Sequence, residues 1–344
     1  MRCAPDADSR VYRQTRGSRV VNISTSLRRA KAPLALTAAV MLAASACGGA
    51  DAGSGGEGGD KLSGTVKVDG SSTVAPLSTV AAQLFQQANP GVKVTVGTSG
   101  TGGGFEKFCA GETDISNASR EIKDEEKALC EKKGVKFEEF SVANDGLSVV
   151  VSKDNDFVEC LTVEQLKKIW EPGSKVNNWN QVDPKFPNQK MDLFGAGTDS
   201  GTFDYFTDAI NGEEGASRTD YNPSEDDNVT VRGVSGSKGG IGYFGLSYFE
   251  ENKDKLKALK IDGGKGCVAP GVETVQNGTY TPLGRQLFIY PKASSLEKPE
   301  AEAFVEYYVE NSAEIAEKAQ FVPLNAEQQK ELEKDLATLR EQHS

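Results

Sequence analysis

The chain predicts an α/β protein, and three observations carry that prediction. From residue 62 onward, strand-like and helix-like segments alternate. Three times, a turn of Gly with Ser or Thr stands between a strand signal and a helix signal. The 344 residues, 37% of them hydrophobic, suffice for one large or two ordinary domains with a sizeable core.

The elements follow in order. "TVKVD" (65–69) is a short strand and "GSST" the turn after it. Val74, Leu77, Val80, Ala81, Leu84 and Phe85 recur at helical spacing until "NPG" ends the helix. Val92, Val94 and Val96 alternate as a second strand that runs into "GTSGTGGG", and the next helix carries Phe105, Phe108 and Cys109. "DISNASRE" is a third strand and turn, followed by a helix around 124–132. "FSVANDG" reads as a crossing segment between two domains, and "GLSVVVSKD" after it as a buried strand. Thr162 and Gln165 form a capping-box pattern that opens the helix of "LTVEQLKKIW". "GGIGYFGLSYFE" and "RQLFIYPK" are later strand-like runs. The region from Glu297 onward is mostly helical, with Phe304, Val305, Tyr308 and Val309 on one apolar face.

The first 61 residues read differently. Arg28, Arg29 and Lys31 precede the apolar run "APLALTAAVMLAA" and then "SAC", the layout of a bacterial lipoprotein signal over 1–46 with Cys47 as the lipidated residue. Ala44 stands where Leu is usual. The basic stretch 1–19 makes this leader long, which points to translation starting near Val21. Residues 47–61 are Gly-rich and read as a flexible tether. No run of about 18 apolar residues predicts a membrane span.

Four cysteines remain besides Cys3 and Cys47, an even number suited to an oxidising compartment. Three connectivities are open to them. Closeness in sequence favours Cys109 with Cys130, which leaves Cys160 with Cys267. The leader holds 8 basic and 2 acidic residues, so the chain after it has 31 Lys and Arg against 48 Asp and Glu, a net charge of −17. Nucleic acid and anionic membrane surfaces are poor partners for such a chain. A small anion in a cleft is not excluded, because local dipoles decide that binding.

The three turns, Gly70 to Thr73, Gly97 to Gly104 and Gly197 to Thr202, each open a helix. Helix starts offer unpaired N–H groups and partial positive charge, and several that converge make an anion site. Glycine permits close backbone approach, and hydroxyls add uncharged donors. Taken singly, each turn is explained by N-capping alone. No Walker or dinucleotide-binding glycine pattern occurs, so an oxyanion is favoured over a nucleotide. His343 is the single histidine, which leaves Ser-His-Asp and Cys-His catalysis without a base and gives no His-based metal site. Asp226 and Asp227 in "PSEDDN" lack EF-hand spacing and read as a solvated loop. No cofactor, metal or catalytic residue is expected.

"VDGSSTVAPL", "GTSGTGGGFEKFCAGETDISNASR", "LTVEQLKKIWEPGSKVNNWNQV", "GAGTDSGTFDYF" and "GGIGYFGLSYF", in this order across 62–325, resemble the PstS-type phosphate-binding proteins of bacterial phosphate ABC importers. The resemblance implies a type II periplasmic-binding-protein fold: two α/β lobes that close on dehydrated phosphate. Lobe I would comprise 62–143 and 265–344, and lobe II 144–264. Implied partners are inorganic phosphate and the permease and ATPase subunits of an importer, with the lipid as the sole membrane contact. Carried over position by position, Ser72, Thr73, Thr101, Ser200, Gly201 and Thr202 would bind the anion.

Two positions depart from that pattern. Arg120 stands where the family has an aspartate, and Ala196 where it has an arginine. The cation would then have changed lobes, with Arg120 gripping the anion bidentately and Asp199 accepting the proton of HPO4 2−. Fully deprotonated sulfate would meet an unpaired lone pair at such an aspartate, at a cost on the order of several kcal/mol. Three alternatives remain: another oxyanion such as sulfate or molybdate, a secreted hydrolytic or phosphoryl-transfer enzyme with Ser200 as nucleophile, or a phosphate sensor with no transport role.

Overall fold

The computed structural model describes residues 62–343, so the leader, the tether, Cys3 and Cys47 lie outside the described residues. The strands are Gly64–Gly70 (β1), Val92–Val96 (β2), Ile115–Ala118 (β3), Phe140–Ser152 (β4), Cys160–Thr162 (β5), Asp192–Ala196 (β6), Asn222–Ser224 (β7), Gly240–Gly245 (β8), Leu256–Ala258 (β9), Lys260–Asp262 (β10), Cys267–Val268 (β11) and Gly284–Pro291 (β12). Between them lie helices Ala75–Ala88 (α1), Gly100–Cys109 (α2), Asp124–Lys132 (α3), Val163–Trp170 (α4), Trp179–Val182 (α5), Gly201–Asn211 (α6), Asp227–Ser235 (α7), Leu246–Asn252 (α8) and Val272–Gln276 (α9). Helices Pro299–Glu310 (α10), Ser312–Lys318 (α11) and Ala326–His343 (α12) close the chain.

One mixed sheet runs β2-β1-β3-β12-β4-β8-β6-β7, with β9 also on β4. The β-α-β units pair their strands in parallel, as in β1 with β2 and β3 and in β6 with β7 and β8. Strands β4 and β12 break that rule, pairing antiparallel with each other. The first half of β4 pairs with β12, and its second half, Leu147 to Val151, pairs with β8. The "FSVANDG" segment is therefore the first half of a single 13-residue strand. Every residue from Val142 to Ser152 is buried, the polar Asn144, Asp145, Ser148 and Ser152 included.

Two large cores flank this crossing. Val66, Leu77, Phe85, Phe304 and Tyr308 belong to the first, and Trp170, Trp179, Phe206 and Tyr243 to the second. Phe206 stacks on Tyr243 at 3.7 Å between ring centroids, and burying each side chain of this size contributes roughly 2–3 kcal/mol. Val275, Tyr280 and Leu283 pack into the second core, and Cys267 sits in the small β11-β10-β5 sheet. Leu287 and Ile289 of β12 belong to the first core.

The disulfides are Cys109–Cys130 and Cys160–Cys267. Cys130 is the only buried residue of α3, so the first bridge fastens a helix that has little apolar surface of its own. The capping box of Thr162 and Gln165 forms, each side chain taking the other's backbone N–H at 3.0 to 3.1 Å. In "GGIGYFGLSYFE" only the first half is a strand; the second half is α8. The expected solvated loop at "PSEDDN" is a helix start, where the Asp226 carboxylate accepts from the Asn228 N–H at 2.9 Å.

Candidate functional site

The first turn is held by the residue just before it. Asp69 is the last residue but one of β1, and its Oδ1 accepts from the N–H of Gly70 (2.8 Å) and from the N–H (3.0 Å) and hydroxyl (2.8 Å) of Ser99. Its other oxygen meets Lys107 Nζ at 2.7 Å. Burial pushes the Asp69 carboxyl up, but its bonds from Lys107, Ser99 and Gly70 outweigh that and leave it below its ordinary value. One carboxylate thus fastens the second turn to the first. Close packing completes the joint, since a Cβ on Gly104 would fall 2.5 Å from the Gly70 Cα.

The third turn abuts the first from the other core. A Cβ on Gly201 would stand 2.7 Å from the backbone N of Thr73, and the Thr73 hydroxyl donates to the Gly201 carbonyl at 3.1 Å. Neither α1 nor α2 has a side-chain cap at its N-terminus. Helix α6 does, because Ser200 Oγ accepts from the Thr202 N–H at 3.2 Å. The starts of α1 and α2 therefore keep their positive ends for another acceptor.

These turns border a cavity of about 930 Å³. Ser72, Thr73, Thr101 and Arg120 line it. Ser72 Oγ donates across it to Asp204 Oδ2 at 2.6 Å. Thr101 Oγ1 lies 3.1 Å from Ser119 Oγ. Arg120 is already paired: its Nη1 and Nη2 donate to the two carboxylate oxygens of Glu126 at 2.8 and 2.7 Å. Those bonds raise the guanidinium pKa, and the Arg120 contact holds Glu126 below its ordinary value against the opposing effect of burial.

Four expected residues are placed elsewhere, Gly201 among them against Thr73. Asp199 is exposed on its turn, its N–H directed to Glu225 at 3.3 Å, and it does not line the cavity. Ser200 Oγ accepts the Thr202 N–H of its own helix start, and the residue does not line the cavity. Thr202 lines a separate cavity of about 150 Å³ with Asp145 and Asp227.

Three residues the sequence reading missed take prominent places. Asp204 lies within α6, and Asp208, one helical turn later, lines the same wall. Arg285 on β12 faces Asp145 on β4 in the antiparallel register. Its guanidinium lies 3.4 Å from the centre of the Tyr205 ring, and its Nη2 donates to Thr73 Oγ1 at 3.0 Å. The cavity wall is electrically mixed, with Arg120, Lys123 and Arg285 against Glu121, Asp204, Asp208 and Glu214. Burial, then Asp204 and Asp208, push the Glu214 carboxyl above its ordinary value. Among the described residues no group of three or more His, Cys, Asp or Glu side chains could hold a metal, and no helix is long and apolar enough to cross a membrane.

Residues 55–312 match the PBP superfamily domain. Over 248 residues the chain is 49% identical to protein SphX of Synechococcus elongatus, covering 71% of this chain and 73% of that one. It is 43% identical over 245 residues to the phosphate-binding protein PstS of Staphylococcus saprophyticus, covering 70% and 75% respectively. The crystal structure of a possible phosphate binding protein from Planctomyces limnophilus superposes with a TM-score of 0.78 at 47% identity, over 81% of this chain and 99% of that one. An ABC-type phosphate transport receptor from Vibrio cholerae shares the fold at a TM-score of 0.60 and 22% identity, over 75% and 99%.

Proposed function

Since the chain belongs to the PBP superfamily and has the type II periplasmic-binding-protein fold, we propose that it binds inorganic phosphate in the 930 Å³ cavity. It then hands the anion to the permease and ATPase subunits of an ABC importer. The family's role is binding for transport, and the reading assigns no catalytic step to this chain. Cys47 carries the lipid that anchors it outside the cytoplasmic membrane, and residues 48–61 are the tether.

The observation that carries this reading is the convergence of two helix starts without side-chain caps, those of α1 and α2, on one cavity lined by hydroxyls. Ser72, Thr73 and Thr101 supply hydroxyl contacts, those of Ser72 and Thr73 turning to the anion from Asp204 and the Gly201 carbonyl, and the backbone N–H groups around them supply the rest. The proton acceptor that favours HPO4 2− over sulfate is Asp204 in place of Asp199. It already accepts from Ser72 on the opposite wall through one oxygen, which leaves the other for the ligand's proton. Arg120 serves the long-range field of the cavity while its fork stays on Glu126.

Calorimetric titration of the purified protein with phosphate, arsenate and sulfate tests this. Tight phosphate and arsenate binding with at least about a hundredfold weaker sulfate binding is expected. Sulfate or molybdate binding with no heat from phosphate would move the assignment to another oxyanion.

A further inference from the structure

We propose that Arg285 is the residue whose positive charge grips the anion, held ready on the crossing strands by Asp145, Tyr205 and Thr73. The inference rests on the phosphate reading above and names the charge that the reading lacks.

Its backbone is fixed. Arg285 lies in β12, paired with Asp145 of β4 where those two strands pass between the cores, so its Cα is set by a ladder and not by a loop. Its side chain is fixed as well. The side chain is 17% exposed, the guanidinium rests on the ring of Tyr205, and the Tyr205 hydroxyl is tied to the Pro282 carbonyl at 2.8 Å. A planar guanidinium stacked on an aromatic face gains from the ring quadrupole without spending its in-plane N–H donors.

Those donors are mostly uncommitted. The contacts to Asp145 run from Nε at 3.4 Å and Nη2 at 3.5 Å to a single oxygen, at the outer limit of hydrogen bonding. Arg120 makes a different pair, two short bonds to two oxygens. The one good bond of Arg285 goes from Nη2 to Thr73 Oγ1, the hydroxyl of the first turn. None of these contacts uses Nη1, and the side chain borders the cavity. A tetrahedral anion seated against Thr73 would therefore meet a desolvated, oriented fork beside the helix starts.

Asp145 explains how the charge is kept there without a ligand. It is buried, and burial pushes its carboxyl upward against the opposing pull of Arg285. A loose counter-ion of this kind limits the cost of the buried cation while leaving it free to bind a stronger acceptor.

Titration calorimetry with inorganic phosphate and melting without it, both on the purified full-length protein, separate this role from a structural one. Arg285→Gln should raise the Kd at least about a hundredfold, the effect of truncating one member of a desolvated charge pair. The double variant Asp145→Asn/Arg285→Gln should recover the melting temperature lost in Arg285→Gln and still fail to bind. A double variant that recovers both folding and binding would make the pair structural and overturn the inference. So would an Arg285→Gln protein within about threefold of the wild-type Kd. In either case the phosphate reading survives, since it is the wild-type titration that decides that reading.

Discussion

One oxygen of Asp69 accepts both the backbone N–H and the hydroxyl of Ser99, thirty positions later, at 3.0 and 2.8 Å. This joint sets the distance between the starts of α1 and α2, and so the shape of the anion cradle. Asp69→Ala should destabilise the protein by about 2–3 kcal/mol, the range for hydrogen bonds to a charged group, and should weaken phosphate binding along with it. Because the folded-state pKa lies below the ordinary 3.8, the contribution is present above that pH and is lost as pH falls through the folded value. Urea unfolding at pH 7 and pH 3 checks this: the difference between wild type and variant should shrink at the lower pH.

Asp204→Asn tests the proton acceptor. An amide can present its N–H to a sulfate oxygen, so the repulsion that excludes sulfate disappears. The ratio of sulfate Kd to phosphate Kd should fall at least about tenfold, or roughly 1.4 kcal/mol. Competition titration reads the ratio directly, and an unchanged ratio would place discrimination elsewhere. The same titration on Asp199→Asn should show no change, since Asp199 is exposed and off the cavity wall.

The contrast between Asp199 and Asp204 shows where the sequence could and could not be read. The third turn was visible in "GTDSGT", and the helix after it as well. Once Ser200 is the cap, Asp204 and Asp208 are one helical turn apart on one face, so the phase of α6 held the signal. Arg285 and Asp145 offered no such signal. They are 140 positions apart and meet through the register of β12 on β4, which carries a bulge at Leu287/Phe288. Short runs misled for another reason. "GLSYFE" is apolar enough for a strand, and a segment of that length lacks the turns that would reveal a helical period.

Arg120 pairs with Glu126 at the start of α3, and Glu126 also accepts the Lys123 N–H at 2.9 Å. Arg120→Ala should therefore lower stability by about 1 kcal/mol, because the guanidinium is partly exposed and solvent screens the pair. The phosphate Kd should rise by less than about tenfold, well short of the Arg285 effect. Thermal melting and calorimetry on the same sample distinguish the two arginines.

The disulfides should differ in what they contribute. Cys109–Cys130 closes a loop with a sequence separation of 21, and Cys160–Cys267 one of 107. Loop closure in the unfolded chain predicts stabilisation of about 3 kcal/mol for the first and nearer 5 for the second. Paired serine variants of each bridge, unfolded in denaturant, should rank in that order. Thiol titration under denaturing conditions without reductant should find none of these four cysteines free.

Asp227 begins α7 with Asp226 and Glu225 beside it, and its carboxyl faces the smaller cavity between the cores. Burial, then the charges of Asp226 and Glu225, push its pKa up to about 6 from the ordinary 3.8. The helix N-terminus works the other way, favouring the ionised form. A folded-state pKa above the unfolded one means the native state binds the proton more tightly. The resulting stability is fully present below about pH 4 and is lost as pH rises through about 6. Above that pH the wild type therefore carries an unfavourable buried charge that Asp227→Asn does not. The variant should be more stable than the wild type at pH 7 by about 1–2 kcal/mol, reduced from the full shift because the side chain is only partly buried. At pH 4 the two should be nearly equal. Unfolding midpoints measured at half-unit steps from pH 4 to 7 would trace this divergence, and parallel curves for the two proteins would show that Asp227 is ionised throughout the range.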